Sequence, residues 1–248
     1  MSSVSVDKSG RTIRDMFAGV APRYDLLNHL LSGALDLVWR RRAAAALGPI
    51  SGVAGAAVLD LCCGTGDQAA ALRRRGARVA AADFCLPMLA IARRKFRRQA
   101  QGGRGANMRV PPPAALAADA LALPFPARRF AAATVSFGLR NVADLDAALR
   151  QLATVLRPGG RLVVLEFAVP EARPLRTLYL FYFLHLLPAI ARLLSPRASA
   201  YSYLPSSVLE FPQRRAFLDR LAAAGFTELS SQDLSGGIVC LYRGSLPA

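Results

Sequence analysis

The stretch VLDLCCGTGD, residues 58–67, constrains this chain more than any other. An aliphatic run ends in Asp60, glycines follow at positions 64 and 66, and a helical pattern begins at Asp67. Glycine reaches left-handed backbone angles at no steric cost and lets a ligand approach where a Cβ would block it. A strand, a glycine turn and a helix in that order open a parallel α/β sheet. In such sheets ligands bind beyond the carboxyl ends of the strands, where the strand order reverses. Asp83 ends the next apolar run, 23 residues after Asp60. A carboxylate there can accept two hydrogen bonds from a ribose diol. Asp60 and Asp83 together predict a nucleoside ligand.

The remaining pattern agrees with an α/β, Rossmann-like sheet with helices on both faces. Residues 13–47 read as an N-terminal helical cap, punctuated by Pro22 and Gly33 and stopped by Gly48-Pro49. Strands are predicted at 57–62, 77–82, 114–118, 131–136 and 161–167. Helices are predicted at 67–75, capped by Asp67, at 86–99 and at 143–156, with Pro158-Gly159-Gly160 as a turn. Residues 102–113 read as a loop, because three successive prolines cannot join a central ladder. Residues 170–209 form an apolar, aromatic insert. A helix over 212–224 and strands near 226–232 and 237–243 follow, with Gly236-Gly237 turning the last strand antiparallel. The whole chain reads as a single domain: cap 1–50, cofactor-binding core 51–169, insert 170–209, C-terminal helix and hairpin 210–248.

Charge narrows the ligand. Gly64-x-Gly66-x-x-Ala69 formally matches a relaxed dinucleotide fingerprint. Asp60 before the turn and Asp67 at the helix start would repel a pyrophosphate, which seeks that helix N-terminus. They suit a cation, and S-adenosylmethionine has a sulfonium, an ammonium and no phosphate. The formal net charge is +16, which attracts anionic partners. Thirty of the 32 basic residues are Arg, with lysine only at positions 8 and 95, so most of the surplus reads as solvated surface. Cys62, Cys63, Cys85 and Cys240 have no C-x-x-C spacing, and His29 and His185 are the only histidines. No metal site or disulfide framework is expected. The N-terminus lacks an apolar signal core. The longest uncharged runs, 43–59 and 177–191, fall short of the roughly 20 residues a spanning helix needs. A cytoplasmic protein, soluble or peripheral at the inner face of the membrane, is expected.

The segment at 58–67 resembles motif I of class I S-adenosylmethionine-dependent methyltransferases. MFAGVAPRYDLLNHLLSGALDLVWRR (16–41), DALALPFP (119–126), VSFGLRNVADLDAALRQLATVLRPGGRLVVLEF (135–167), YSYLPSSVLEFP (201–212) and GGIVCLYRG (236–244) resemble one family among them. These are the ubiquinone/menaquinone-biosynthesis C-methyltransferases. The chain departs from the family's acidic pattern after LPFP, at Ala127, Arg128, Arg129 and Ala131.

The resemblance implies methylation of a ring carbon of a polyprenylated quinol. Demethylmenaquinol is the first choice of acceptor, ahead of demethylphylloquinol and a ubiquinol precursor. It implies cofactor contacts at Thr65, Asp83, Asp119, Ala120 and Ser136, which join Asp60, Gly64 and Gly66 from the spacing argument. Arg140 is expected to stabilise a developing phenolate and Asn141 to orient the proton acceptor, with Tyr24 and Asp25 near the ring. Arg stays protonated and is not a free base. Phe181, Phe183, His185, Tyr201 and Tyr203 of the insert are expected to bind the substrate. The insert, flanked by Arg173, Arg176, Arg192 and Arg197, is also expected to touch anionic lipid. A homodimer stays open. Two other readings are a nucleic-acid methyltransferase and a noncatalytic scaffold. The first lacks an Asn/Asp-Pro-Pro-aromatic or Pro-Cys motif, so no nucleic acid is expected. The second would need a degraded glycine turn.

Overall fold

Strands β1 (Ala57–Leu61), β2 (Arg78–Asp83), β3 (Ala114–Ala117), β4 (Phe130–Ser136), β5 (Leu156–Phe167), β6 (Thr227–Leu234) and β7 (Val239–Ser245) follow the apolar runs of the sequence. In this computed structural model, which describes residues 8–49, 57–102, 110–186 and 199–248, they join one sheet in the order β3-β2-β1-β4-β5-β7-β6. The pairings among β1 to β5 are parallel, and β7 is antiparallel to both β5 and β6. The order reverses between β1 and β4, so a crevice opens above their carboxyl ends.

Side-chain alternation gives the sheet two apolar faces. Leu59, Leu61, Val135, Val164 and Tyr242 pack on one side, and Val58, Ala132, Val163, Leu165 and Leu241 on the other. Helices α1 (Gly10–Val20), α2 (Tyr24–Leu31) and α3 (Leu35–Ala46) form the cap, with Trp39, Ala43 and Ala44 of α3 buried in the second face. Helices α4 (Asp67–Arg74) and α5 (Leu86–Ala100) share that face through Leu72, Leu89 and Phe96. Helix α6 (Leu145–Val155) covers the first face with Leu149 and Leu152. The insert supplies α7 (Arg173–Phe181), a π-helical turn over Tyr182–Leu186 and α8 (Ser199–Glu210). Helix α9 (Arg215–Ala223) returns to the first face through Phe217 and Leu221.

Two local expectations need correction. Asp67 does not cap α4: Gly66 holds the cap position at φ 89, and Asp67 is the first helical residue. Leu156 does not end α6 but starts β5 opposite Phe130, and the register then jumps to Ala132↔Arg161. The Pro158-Gly159-Gly160 turn is thus a bulge within β5, where proline cannot donate to the ladder. The side chain of Tyr201, and Arg192 and Arg197, lie outside the described residues.

Candidate active site

The turn after β1 is built around a carboxylate. Asp83 Oδ2 accepts the Gly64 N–H at 2.8 Å and Oδ1 accepts the Cys85 N–H at 2.8 Å. One aspartate at the end of β2 therefore fixes the backbone of the neighbouring turn, and each oxygen keeps a further lone pair. Burial raises the Asp83 pKa, and its amide hydrogen bonds oppose the rise. Gly64 has φ +54 with open space where a Cβ would stand, so the backbone is bare toward the crevice. Gly66 serves packing, since a Cβ there would come within 2.6 Å of the Phe96 ring. Cys62 and Phe137, both non-glycine, also have positive φ, at 54° and 61°. They bring the ends of β1 and β4 so close that a Cβ on Gly138 would lie 2.4 Å from that of Cys62. Backbone strain of this kind collects at functional sites.

Above the turn lies a cavity of about 160 Å³. Gly64, Thr65, Asp83, Asp119, Ala120 and Ser136 line it, together with Asn141, Phe84 and Met88. Ser136 Oγ and Asn141 Oδ1 are buried without a hydrogen-bond partner. Burial pushes the Cys62 and Cys63 thiols well up, so both stay protonated packing groups. Asp60 does not line this cavity. Strand alternation turns it beneath α4, where it is fully buried and accepts from Thr134 Oγ1 at 2.9 Å. Burial pushes its pKa up to about 7, with the Thr134 hydroxyl and Arg40 opposing the rise.

Asp25 and Thr65 are brought together, the Thr65 hydroxyl donating to Asp25. Lys95 Nζ bridges Asp25 Oδ2 at 2.6 Å and Asp67 Oδ1 at 2.7 Å. Burial alone would raise the Asp67 pKa, but Lys95 and Arg40 bring it below the ordinary value. Asp67 lines the cavity with its charge offset, so it repels phosphate less than its position in the sequence implies. His29 Nδ1 lies 3.0 Å from both oxygens of Asp36, and Arg40 lies near Asp36 and over the Phe137 ring. This network ties the cap to the turn. Nothing in the local pattern marks it except lysine itself. The two lysines of an arginine-rich chain both stand here, for Lys8 also lines the cavity. The compact ammonium of Lys95 reaches both carboxylates from one point.

A second cavity, of about 260 Å³, adjoins the first and is mostly apolar. Phe17, Tyr24, Arg40 and Phe137 line both. The cap contributes Leu31, Leu35 and Trp39, the sheet Phe167, and the insert Tyr179, Tyr182, Phe183 and Tyr203. Arg140 lines this cavity and Asn141 the other. Arg140 is buried, and its guanidinium donates to Glu166 Oε2 at 2.9 Å and to the Phe137 carbonyl. Glu166 also accepts the backbone N–H of Arg140. Arg140 therefore brings directed N–H groups rather than a net charge.

Phe181 and His185, expected at the substrate, are exposed outside both cavities and pack on each other at 5.6 Å. Tyr179 and Phe183, four residues apart, share the inward face of the helix, and positions two residues away point outward.

A family model described as the ubiE/COQ5 methyltransferase family matches residues 4–245. A "Demethylmenaquinone methyltransferase" of Thermus thermophilus is 48% identical over 94% of this chain and 100% of its own length. A "Ubiquinone/menaquinone biosynthesis C-methyltransferase UbiE" of Geobacter sulfurreducens is 40% identical over 96% of this chain and 89% of its own. The crystal structure of an SAM-dependent methyltransferase of Thermotoga maritima, a possible histamine N-methyltransferase, shares the fold. It has a TM-score of 0.63 at 17% identity and covers 94% of this chain and 99% of that one. The sheet is that of class I S-adenosylmethionine-dependent methyltransferases, and this chain belongs to the ubiE/COQ5 methyltransferase family.

Proposed function

We propose that this enzyme methylates a ring carbon of a polyprenylated quinol, with demethylmenaquinol as the acceptor. The observation that carries the reading is the pair of adjoining cavities. One is acid-lined at a glycine turn and the other is apolar with Arg140 in its wall.

The first cavity fits S-adenosylmethionine by its donor set. Asp83 keeps acceptor capacity for a ribose diol. Ser136 Oγ and Asn141 Oδ1 are buried polar atoms in need of partners. The bare backbone at Gly64 leaves room for close approach. Asp83, Thr65, Asp119, Ala120 and Ser136 would hold the cofactor, whose sulfonium methyl is the electrophile. In the second cavity Arg140 would direct N–H groups at the quinol oxygen as its proton leaves. A phenol titrates near 10, and charge-assisted donors favour the phenolate. Loss of that proton makes the ortho carbon nucleophilic. Asn141 and Tyr24 would orient the ring at the wall between the cavities.

The quinol tail would leave through the insert, which would also contact an anionic membrane. Leu178, Phe181, Leu184 and Leu186 are exposed beside exposed Arg173 and Arg176. Leu26 and Leu30 of α2, whose Leu27 shares an apolar cluster with Tyr179 of α7, are exposed too. No helix among the described residues is long and apolar enough to cross a membrane. Incubating the protein with S-adenosylmethionine and reduced demethylmenaquinol tests the reading. Mass spectrometry should find a ring-methylated product. A methyl on oxygen, or transfer to RNA alone, would refute it. The name of the Geobacter relative favours one variant, a ubiquinol precursor as a second acceptor, which the same assay compares directly.

A further inference from the structure

Tyr179 Oη, Tyr203 Oη and Arg140 Nε are buried without a hydrogen-bond partner, and all three residues line the apolar cavity. They come from α7, α8 and the turn after β4. More than nine in ten buried polar groups in folded proteins are paired, so three orphans around one cavity call for a ligand. Two other phenols, those of Tyr182 and Tyr242, do have partners. Tyr182 Oη donates to the Leu31 carbonyl at 3.1 Å, and Tyr242 Oη accepts the Arg214 N–H at 2.8 Å. The rest of the cavity wall is mostly apolar and offers these three atoms little alternative.

We propose that Tyr179 and Tyr203, together with Arg140 Nε, form a subsite that binds one aryl oxygen of the acceptor. This rests on the quinol reading above. An aryl oxygen that is losing its proton can accept up to three hydrogen bonds, and the subsite holds three donors. Burial pushes the Tyr203 phenol up to about 12 and the Tyr179 phenol higher still, so both stay protonated and donate at neutral pH. Arg140 is felt electrostatically by both phenols. The subsite selects a hydroxylated ring over its ether, since an ether oxygen is a weaker acceptor and carries an extra methyl. It also makes the insert, whose two helices supply the phenols, part of ring recognition and not of tail binding alone.

Tyr179→Phe and Tyr203→Phe keep both rings, including the stack of Tyr179 on Phe183 at 4.9 Å. The whole protein, saturated with S-adenosylhomocysteine, is titrated anaerobically with naphthohydroquinone and separately with its dimethyl ether. The wild type should prefer the hydroquinone about tenfold or more, and each Phe variant should lose about fivefold of that preference. Affinity for the ether should not change. The melting temperature should hold or rise, because an unpaired buried hydroxyl contributes nothing to the fold. Phe variants that keep the full wild-type preference would overturn the proposal, as would variants that lose stability through a broken internal hydrogen bond. Turnover separates the two readings. A wild type that prefers the hydroquinone but never methylates a quinol refutes the quinol reading and leaves the subsite. A wild type that methylates, with Phe variants unchanged in preference and kcat, refutes the subsite.

Discussion

The two cavities are built by opposite means. The first cavity, proposed here for the cofactor, comes mostly from one contiguous turn and from strand ends next to it, and its turn is held by backbone amides on Asp83. The acceptor side has no such core. Its wall is gathered from the cap, the ends of β4 and β5, and both helices of the insert. A site of the first kind is rigid and locally encoded. A site of the second kind depends on helices from distant parts of the chain packing together, and so it can change acceptor without disturbing the cofactor. The two meet at Phe17, Tyr24, Arg40 and Phe137.

The largest effect should come from the buried pair that joins the sheet to the acceptor side. Arg140→Ala leaves Glu166, which is 1% exposed, without its partner. Removing one member of a buried ion pair costs about 3–5 kcal/mol, and urea unfolding should show it. Adding Glu166→Gln should restore part of that stability. If Arg140→Ala keeps full stability and loses only kcat, the pair is not structural.

Asp60 gives the next effect. Its folded pKa of about 7 stands above the ordinary 3.8. Between those values the folded chain holds the proton more firmly than the unfolded chain. Stability therefore falls as pH rises from about 4 to about 7 and levels off above, by up to ~4 kcal/mol from this group. Asp60→Asn should flatten that slope, as read from melting curves across pH. An unchanged slope would place the Asp60 charge elsewhere.

Asp83→Ala should weaken S-adenosylmethionine binding by about ten- to a hundredfold for each lost charged hydrogen bond. Calorimetry should show it while affinity for a quinone analogue stays within a few-fold, which is the asymmetry the two-cavity picture requires. The smallest effect belongs to Phe181→Ala. Its 55% exposed ring should matter for binding to acidic liposomes and leave turnover of a tail-less quinol unchanged. A large loss with the tail-less substrate would put Phe181 back in the site.

This contrast also governs what the sequence reveals. Gly64, Asp83 and the alternation of strands and helices are legible because strand, turn and helix are neighbours in the chain. Lys95 and Glu166 are not, because their partners lie far away. Lys95 meets Asp25, 70 residues off, and Glu166 meets Arg140, 26 residues off. The one compositional trace is the survival of lysine at positions 8 and 95. Phe183 and Phe181 are indistinguishable in an insert that is apolar on nearly every face. Only the helical phase fixed by Tyr179 and Val208 packing sends one in and the other out. Asp60 misleads for a related reason. Its place before the glycines suggests a ligand contact, whereas strand alternation buries it beneath α4.

In the proposed reading, cofactor and acceptor occupy separate, touching cavities. The most direct measurement is calorimetric titration of a short-tailed menaquinone analogue into protein already saturated with S-adenosylhomocysteine. The analogue should still bind, with affinity equal to or greater than in the free protein. Competition, with either ligand displacing the other, would contradict it.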